Sequence, residues 1–187
     1  MPEFYKRIHG WSSFIPFYAK MVDEARDGAR FVEIGVWMGR SAVFMGEKIR
    51  ESGKRIHFSA VDTFEGGRDV AYAMHRLTKP LLDTFKSNLE GAGVTDYVDI
   101  IEAASVDAAQ LFSDGEVDLA FIDAQHSYEA VKEDLDAWWR KVRCGGILAG
   151  HDYGVWPGVT KAVDEFAETR GVSFYIAAPE TWAIRRV

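Results

Sequence analysis

The chain of 187 residues and 21.0 kDa has the length of one domain, and with 48% apolar and 27% charged residues it is neither disordered nor fibrous. A net charge of −7 and a pI near 5.3 oppose phosphate backbones and anionic lipid, so no nucleic-acid and no membrane partner is expected. The single cysteine, Cys144, cannot close an internal disulfide. No window nears the roughly 18 apolar residues of a membrane span, and MPEFYKRIHGW lacks a signal-peptide core, so a cytoplasmic globule is expected.

In chain order, Phe14 to Arg26 places Phe14, Phe17, Tyr18, Met21, Val22 and Ala25 at helical spacing. This predicts a helix within an N-terminal cap over residues 1–28. Arg30 to Ile34 reads as a strand, followed by a glycine-rich turn and a helix from Ser41 to Arg50. Ile56 to Val61 is a second strand, ending at Asp62. Pro80 suits the first turn of a helix that reaches about Glu90 and is ended by Gly91 and Gly93. Val98 to Glu102 is a third strand.

Val117 to Ile122 is nearly continuous apolar sequence, as expected of a strand covered on both faces. Val131, Leu135, Trp138, Trp139 and Val142 then form the stripe of an amphipathic helix, with Lys132, Glu133, Asp134 and Asp136 between them. Gly145 and Gly146 open a fifth strand, Ile147 to Ala149. A helix near Val159 to Thr169 follows, where Lys161 and Asp164 read as a surface pair. Strand candidates at Ser173–Ile176 and Thr181–Ile184 close the chain. The alternation predicts an α/β fold, a single-domain, doubly wound, mostly parallel seven-stranded sheet with an antiparallel C-terminal hairpin. Thr63 to Lys79 is too long for a plain connection; a short helix such as Val70–Leu77 and a lid function are expected there.

Ligands of open α/β sheets bind beyond the carboxyl ends of the strands, where strand order reverses. The first strand runs into Glu33-Ile34-Gly35-Val36-Trp37-Met38-Gly39-Arg40-Ser41. Glycines there let a ligand approach the backbone, with a helix N-terminus facing it. The spacing differs from the G-x-G-x-x-G of dinucleotide folds. Asp62, closing the second strand, has two readings: a carboxylate for ribose hydroxyls, or a turn cap assisted by Thr63. Glu33 would favour a nucleoside carrying a cationic amino acid over a pyrophosphate.

Asp123 and Asp152 each follow an apolar run. On neighbouring strands their ends would lie about 4.8 Å apart, and two such carboxylates repel unless a proton or cation sits between them. A divalent ion with oxygen ligands, Mg²⁺ most simply, would satisfy both; the plainer reading is that Asp123 caps the following helix. His126 sits near one helical turn beyond Asp123 if that helix has begun. It is either a general base or a first-turn histidine bonded to the backbone. His151 is an imidazole ligand, which would widen the choice to Mn²⁺, Fe²⁺ or Zn²⁺, an outer-sphere group, or a core residue. Trp37, Tyr153 and Trp156 lie on loops over this region and either stack on a ligand or pack internally. His9, His57 and His75 lack such context, although His75 lies in the lid segment.

Glu33 to Gly39 and Val61-Asp62 resemble motifs one and two of class I S-adenosylmethionine-dependent methyltransferases, a Rossmann-like family, and the likeness runs from about Phe31 to Val187. Ile122-Asp123-Ala124-Gln125-His126-Ser127-Tyr128-Glu129 and Gly150-His151-Asp152-Tyr153 resemble the small metal-dependent O-methyltransferases, the macrolide-sugar type above all. The resemblance implies S-adenosyl-L-methionine bound by Glu33, Gly35, Trp37, Gly39, Ser41, Asp62, Ala104, Ser105 and Asp123, with Ala104 and Ser105 at the adenine. It implies a divalent metal on Asp123 and Asp152, with His151 beside them where the family has an acidic or amide residue. His126 would be the base, and the acceptor a sugar or natural-product hydroxyl. Two other readings are an NAD-dependent oxidoreductase on a Rossmann sheet and a non-catalytic S-adenosylmethionine-binding module. Aromatics such as Trp11 and Phe14, if exposed, hint at a homodimer.

Overall fold

The computed structural model describes residues 3–66 and 79–187. The expected lid helix at Val70–Leu77, and His75 with it, lie outside the described residues. Seven strands form one sheet: β1 (Ala29–Ile34), β2 (Ile56–Asp62), β3 (Asp99–Glu102), β4 (Val117–Ile122), β5 (Val142–Gly150), β6 (Phe174–Ala178) and β7 (Thr181–Arg185). Their order is β3-β2-β1-β4-β5-β7-β6. β1 to β5 are parallel, whereas β7 pairs antiparallel with both β5 and β6. Strand order therefore reverses between β1 and β4, the crevice where this architecture binds ligands.

Helices cover both faces. α1 (Ile15–Glu24), α2 (Arg40–Ser52) and α3 (Leu81–Ala92) pack on one core, built around Phe14, Tyr18, Phe58, Phe85 and Phe121. α4 (Ser105–Ala109), α5 (Tyr128–Lys141) and α6 (Pro157–Arg170) close the other, around Trp138, Trp182, Leu135 and Val163. β4 is buried along its whole length, which is why VDLAFI shows no polar alternation apart from Asp118. Asp118 is paired rather than exposed. It accepts from Arg26 Nε and Nη2 at 3.0 Å, from the Arg30 amide at 2.9 Å and from Arg143 Nε at 2.6 Å. That clamp ties the amino ends of β1, β4 and β5 at the edge opposite the crevice.

Several boundaries differ from the sequence pattern for identifiable reasons. Gly91 lies inside α3 rather than ending it: a Cβ there would stand 2.7 Å from the Phe4 ring, so the glycine makes room for the N-terminal segment, and the left-handed Gly93 terminates the helix. Val142 belongs to β5, not to the α5 stripe; it is fully buried because the strand starts where the helix stops. Phe14 is 1% exposed, packed against Tyr18, Phe121 and His151. It therefore cannot serve an external contact, whereas Trp11 is 62% exposed. Lys161 and Asp164 have separate partners: the ammonium lies 4.2 Å from the Tyr128 ring centroid, and the carboxylate accepts from Tyr153 Oη at 2.8 Å. No described helix is long and apolar enough to cross a membrane.

Candidate active site at the carboxyl edge of the sheet

At the crevice the parallel ladder continues one step past each strand. The Gly35 amide donates to Val61 O, Asp123 N to Ile34 O, and His151 N to Ile122 O, at 2.8–3.1 Å. The loops leaving β1, β4 and β5 thus start from fixed positions. Gly35, at φ +88°, presses on the next loop so closely that a Cβ would lie 2.1 Å from Asp123 O; one at Gly39 would lie 2.7 Å from Phe85. Both glycines make room for protein atoms. Among the described residues four non-glycines take positive φ: Trp37, Phe64, Asp152 and Glu180. All four lie in loops at this edge, and backbone strain concentrated there is common at functional sites.

The turn is held by Asp62. Its Oδ2 accepts the Val36 and Trp37 amides at 3.0 and 2.9 Å, and its Oδ1 accepts the Phe64 amide at 2.8 Å. Thr63 Oγ1 accepts from Glu65 N at 3.4 Å. The cap reading of Asp62 thus has direct geometry, and of about four lone-pair positions on a carboxylate it leaves one, on Oδ1, for a further donor. Glu33 is wholly buried and takes a short hydrogen bond from Ser41 at the start of α2. Its Oε2 is buried with no hydrogen-bond partner, as is the Tyr18 hydroxyl. Burial pushes the Glu33 carboxyl up to about 8; Ser41 opposes the rise and the charge of Asp123 adds to it. A desolvated carboxyl beside the glycine turn, with one oxygen lacking a hydrogen-bond partner, fits the approach of a cationic group.

Ala104 is exposed at the entrance to α4. The Ser105 side chain is turned away from the crevice toward α5: its Oγ accepts from Trp138 Nε1 at 2.9 Å and bonds Asp134. Any ligand contact at this position would fall to Ala104 or to the backbone.

The second cluster lies at the ends of β4 and β5, whose last residues Ile122 and Gly150 pair directly. Asp123, His151 and Asp152 offer one donor atom each, all within 4.8 Å of one another. His151 Nδ1 is 3.3 Å from Asp152 Oδ1 and 3.8 Å from Asp123 Oδ1. The other carboxylate oxygen of Asp152, Oδ2, is 2.9 Å from His126 Nε2. Asp123 does not cap α5; Ser127 does, accepting from Ala130 N at 3.3 Å. His126 therefore lies in the loop ahead of the helix, and it reaches Asp152 from that loop rather than from a helical turn. Burial raises the Asp123 carboxyl to about 7, the charge of Asp152 adding to the rise and His151 opposing it. At Asp152 burial also works upward, but the hydrogen bonds of His126 and His151 outweigh it and hold the carboxyl well below its ordinary range. Two carboxylates and an imidazole converging in a partly desolvated pocket are a donor set that fits a divalent cation.

Two neighbours of this cluster, Ser13 and Glu180, carried no signal in the sequence, whereas Trp156 was expected over this region. Ser13 Oγ is 2.6 Å from His151 Nε2, across 138 residues of chain, and Glu180 Oε2 is 3.4 Å from the same nitrogen. The Trp156 ring stacks on His126, with centroids 4.7 Å apart and planes 9° from parallel. Trp37 packs with His9 and Trp11 at 5.2 and 5.5 Å, so its neighbours in this structure are the N-terminal segment. Tyr153 packs on Phe174.

The sequence matches the family described as "Methyltransferase domain" over residues 32–153, a stretch running from Glu33's strand to the residue after Asp152. Among solved structures the fold is similar to the O-methyltransferase NovP, with TM-score 0.76 and 19% identity over 94% of this chain and 80% of that one. It is also similar to CalS11, described as a TDP-rhamnose 3'-O-methyltransferase of calicheamicin biosynthesis (0.63; 17%; 91% and 77%). A third neighbour is the SAH-bound methyltransferase PaMTH1 of Podospora anserina (0.62; 15%; 98% and 92%). At these identities the likeness is one of fold, while the family match covers well over half of the chain. The chain belongs to the methyltransferase-domain family and has its Rossmann-like α/β fold.

Proposed function

We propose that the protein transfers a methyl group from S-adenosylmethionine to a hydroxyl of a small molecule, of sugar or natural-product type, with a divalent metal assisting. The observation that carries this reading is the convergence of Asp123, His126, His151 and Asp152 at the ends of β4 and β5, one strand from the glycine turn of β1. The turn supplies the donor side: Glu33 for the cationic amino-acid end, the remaining Oδ1 position of Asp62 for one ribose hydroxyl, and Ala104 near the base. NovP and CalS11 are described as O-methyltransferases, which supports an oxygen acceptor.

The geometry supports the following division of labour. Asp152 directs Oδ2 to His126 and Oδ1 toward His151. With Nε2–H donated to Asp152, the proton-accepting atom of a neutral His126 ring is Nδ1. Trp156 holds that ring in plane from one side. A divalent ion, when bound by Asp123 and Asp152, supplies the positive charge that acidifies an acceptor hydroxyl. His126 takes the hydroxyl proton as the oxygen attacks the methyl carbon in line and the carbon–sulfur bond breaks, leaving S-adenosylhomocysteine and the methyl ether. Opposite charges cancel along this path, so positioning and exclusion of water supply most of the acceleration.

The test is single-turnover transfer of labelled methyl from S-adenosylmethionine to a panel of sugars and hydroxylated small molecules, run with Mg²⁺, with Mn²⁺ and with chelator. The reading expects a methyl ether on at least one acceptor, suppression by chelator, and a roughly 10²–10⁴-fold loss in His126→Asn. Binding of the donor with no transfer to any acceptor would favour a non-catalytic module and overturn it.

A further inference from the structure

Resting on the metal-assisted reading, we infer that His151 binds the ion directly through Nδ1, with Ser13 as its positioning residue, and that the site consequently takes a nitrogen-accepting first-row transition ion in preference to Mg²⁺. The ring is 4% exposed and fixed from three sides: the edge of Phe14 at 5.0 Å between centroids, Ser13 Oγ at 2.6 Å from Nε2, and Glu180 Oε2 at 3.4 Å from Nε2. Glu180 as a carboxylate can only accept, so the pair of oxygens around Nε2 calls for Nε2–H. A ring carrying its hydrogen there points the Nδ1 lone pair at Asp152 Oδ1 and Asp123 Oδ1, at 3.3 and 3.8 Å. Either a proton on Nδ1 or a cation satisfies a ring nitrogen facing two carboxylate oxygens, and a divalent ion held by Asp123 and Asp152 would take the proton's place. Neighbouring ligand atoms of a six-coordinate ion with bonds near 2.1 Å lie about 3.0 Å apart and opposite ones about 4.2 Å, which brackets these separations.

A hydrogen bond on the far nitrogen of a ligating histidine, fixing its tautomer and orientation, is the usual outer-sphere arrangement at protein metal sites. Here it comes from the N-terminal segment, outside the family-matched residues 32–153. Mg²⁺ prefers oxygen ligands, whereas imidazole favours Mn²⁺ and increasingly the later first-row ions. One nitrogen with two carboxylates therefore separates the candidates.

The experiment uses the full chain stripped with chelator, titrated with Mn²⁺ and with Mg²⁺ in competition, and pulsed EPR of the Mn²⁺-loaded protein. We expect one Mn²⁺ bound at least ten-fold more tightly than Mg²⁺, with hyperfine coupling from a directly bound imidazole nitrogen. Ser13→Ala should lower Mn²⁺ affinity about ten-fold or more, and Ser13→Thr, which keeps the hydroxyl, should restore most of it. Mn²⁺ bound without nitrogen coupling, or equal affinity for the two ions, would overturn the inference and leave metal-assisted transfer standing. Binding of neither ion would remove both.

Discussion

Replacing Glu33 with Gln isolates the electrostatic cost of the donor site. Burial raises the carboxyl from 4.5 to about 8. A group whose pKa is higher in the folded state contributes its full stability below the unfolded value and loses it as pH rises through the folded one. For Glu33 the loss starts near pH 4.5 and is complete above about pH 8. By pH 7 two and a half pH units at about 1.36 kcal/mol each amount to about 3.4 kcal/mol. Glu33→Gln keeps the oxygen that accepts from Ser41 and places its amide where Oε2 now lacks a partner, near the Tyr18 hydroxyl. The ligand-free variant should be more stable than wild type by under 1 kcal/mol at pH 5 and by up to about 4 kcal/mol at pH 8. At roughly 2–4 °C per kcal/mol for a chain of this size, the pH 7 gain is about 7–14 °C in Tm. Thermal melts of both proteins across pH 5–8 read this directly. A gain independent of pH, or a loss at pH 8, would refute the argument that Glu33 is held neutral by burial. The same change should weaken S-adenosylmethionine binding, since it removes the carboxyl proposed to ionise against the arriving cationic end.

Other predictions follow the same logic. Asp134 is raised to about 6, chiefly by burial, so its contribution is present below about pH 4 and lost as pH rises through about 6, up to about 3 kcal/mol; urea melts of Asp134→Asn should lack that slope. Gly35→Ala should cost more than 3 kcal/mol or abolish soluble expression, because a positive φ and a Cβ 2.1 Å from Asp123 O act together. Gly53→Ala, with positive φ but nothing within 4 Å, should cost only about 1–2 kcal/mol; similar losses in chemical denaturation would contradict the steric argument. Trp156→Leu should lower kcat roughly ten-fold or more by loosening His126, with donor affinity unchanged in titration and with Trp156→Phe close to wild type; equal rates in Leu and Phe variants would mean that the stack does not position the base.

The sheet and most helices were legible because their signals are local. The apolar run of β4 and the Val131–Trp139 stripe each encode burial in a pattern that a single segment carries. Gly35 and Asp62 were equally visible as positions, but their surroundings were not: the glycine accommodates Asp123 O, and the aspartate holds two amides of another loop. His126 and Asp152 were visible as residue types at strand ends. Their mutual contact depends on the pairing of Ile122 with Gly150 and on where α5 begins. Trp156 was visible as an aromatic over the site, but not its stack on His126. Ser13 and Glu180 gave no signal: a serine and a glutamate in loops are common, and only the closed sheet brings Ser13 to a histidine 138 residues away. Gly91 misled for the opposite reason, since a glycine that ends a helix and one that admits Phe4 look alike in one dimension.

Calorimetric titration of the purified chain with S-adenosylmethionine and S-adenosylhomocysteine, each with Mg²⁺, with Mn²⁺ and with chelator, and with NAD as control, tests the central claim most directly. The account predicts micromolar binding of both adenosyl ligands and no heat from NAD. Absence of adenosyl binding in every buffer, or binding of NAD in its place, would contradict it.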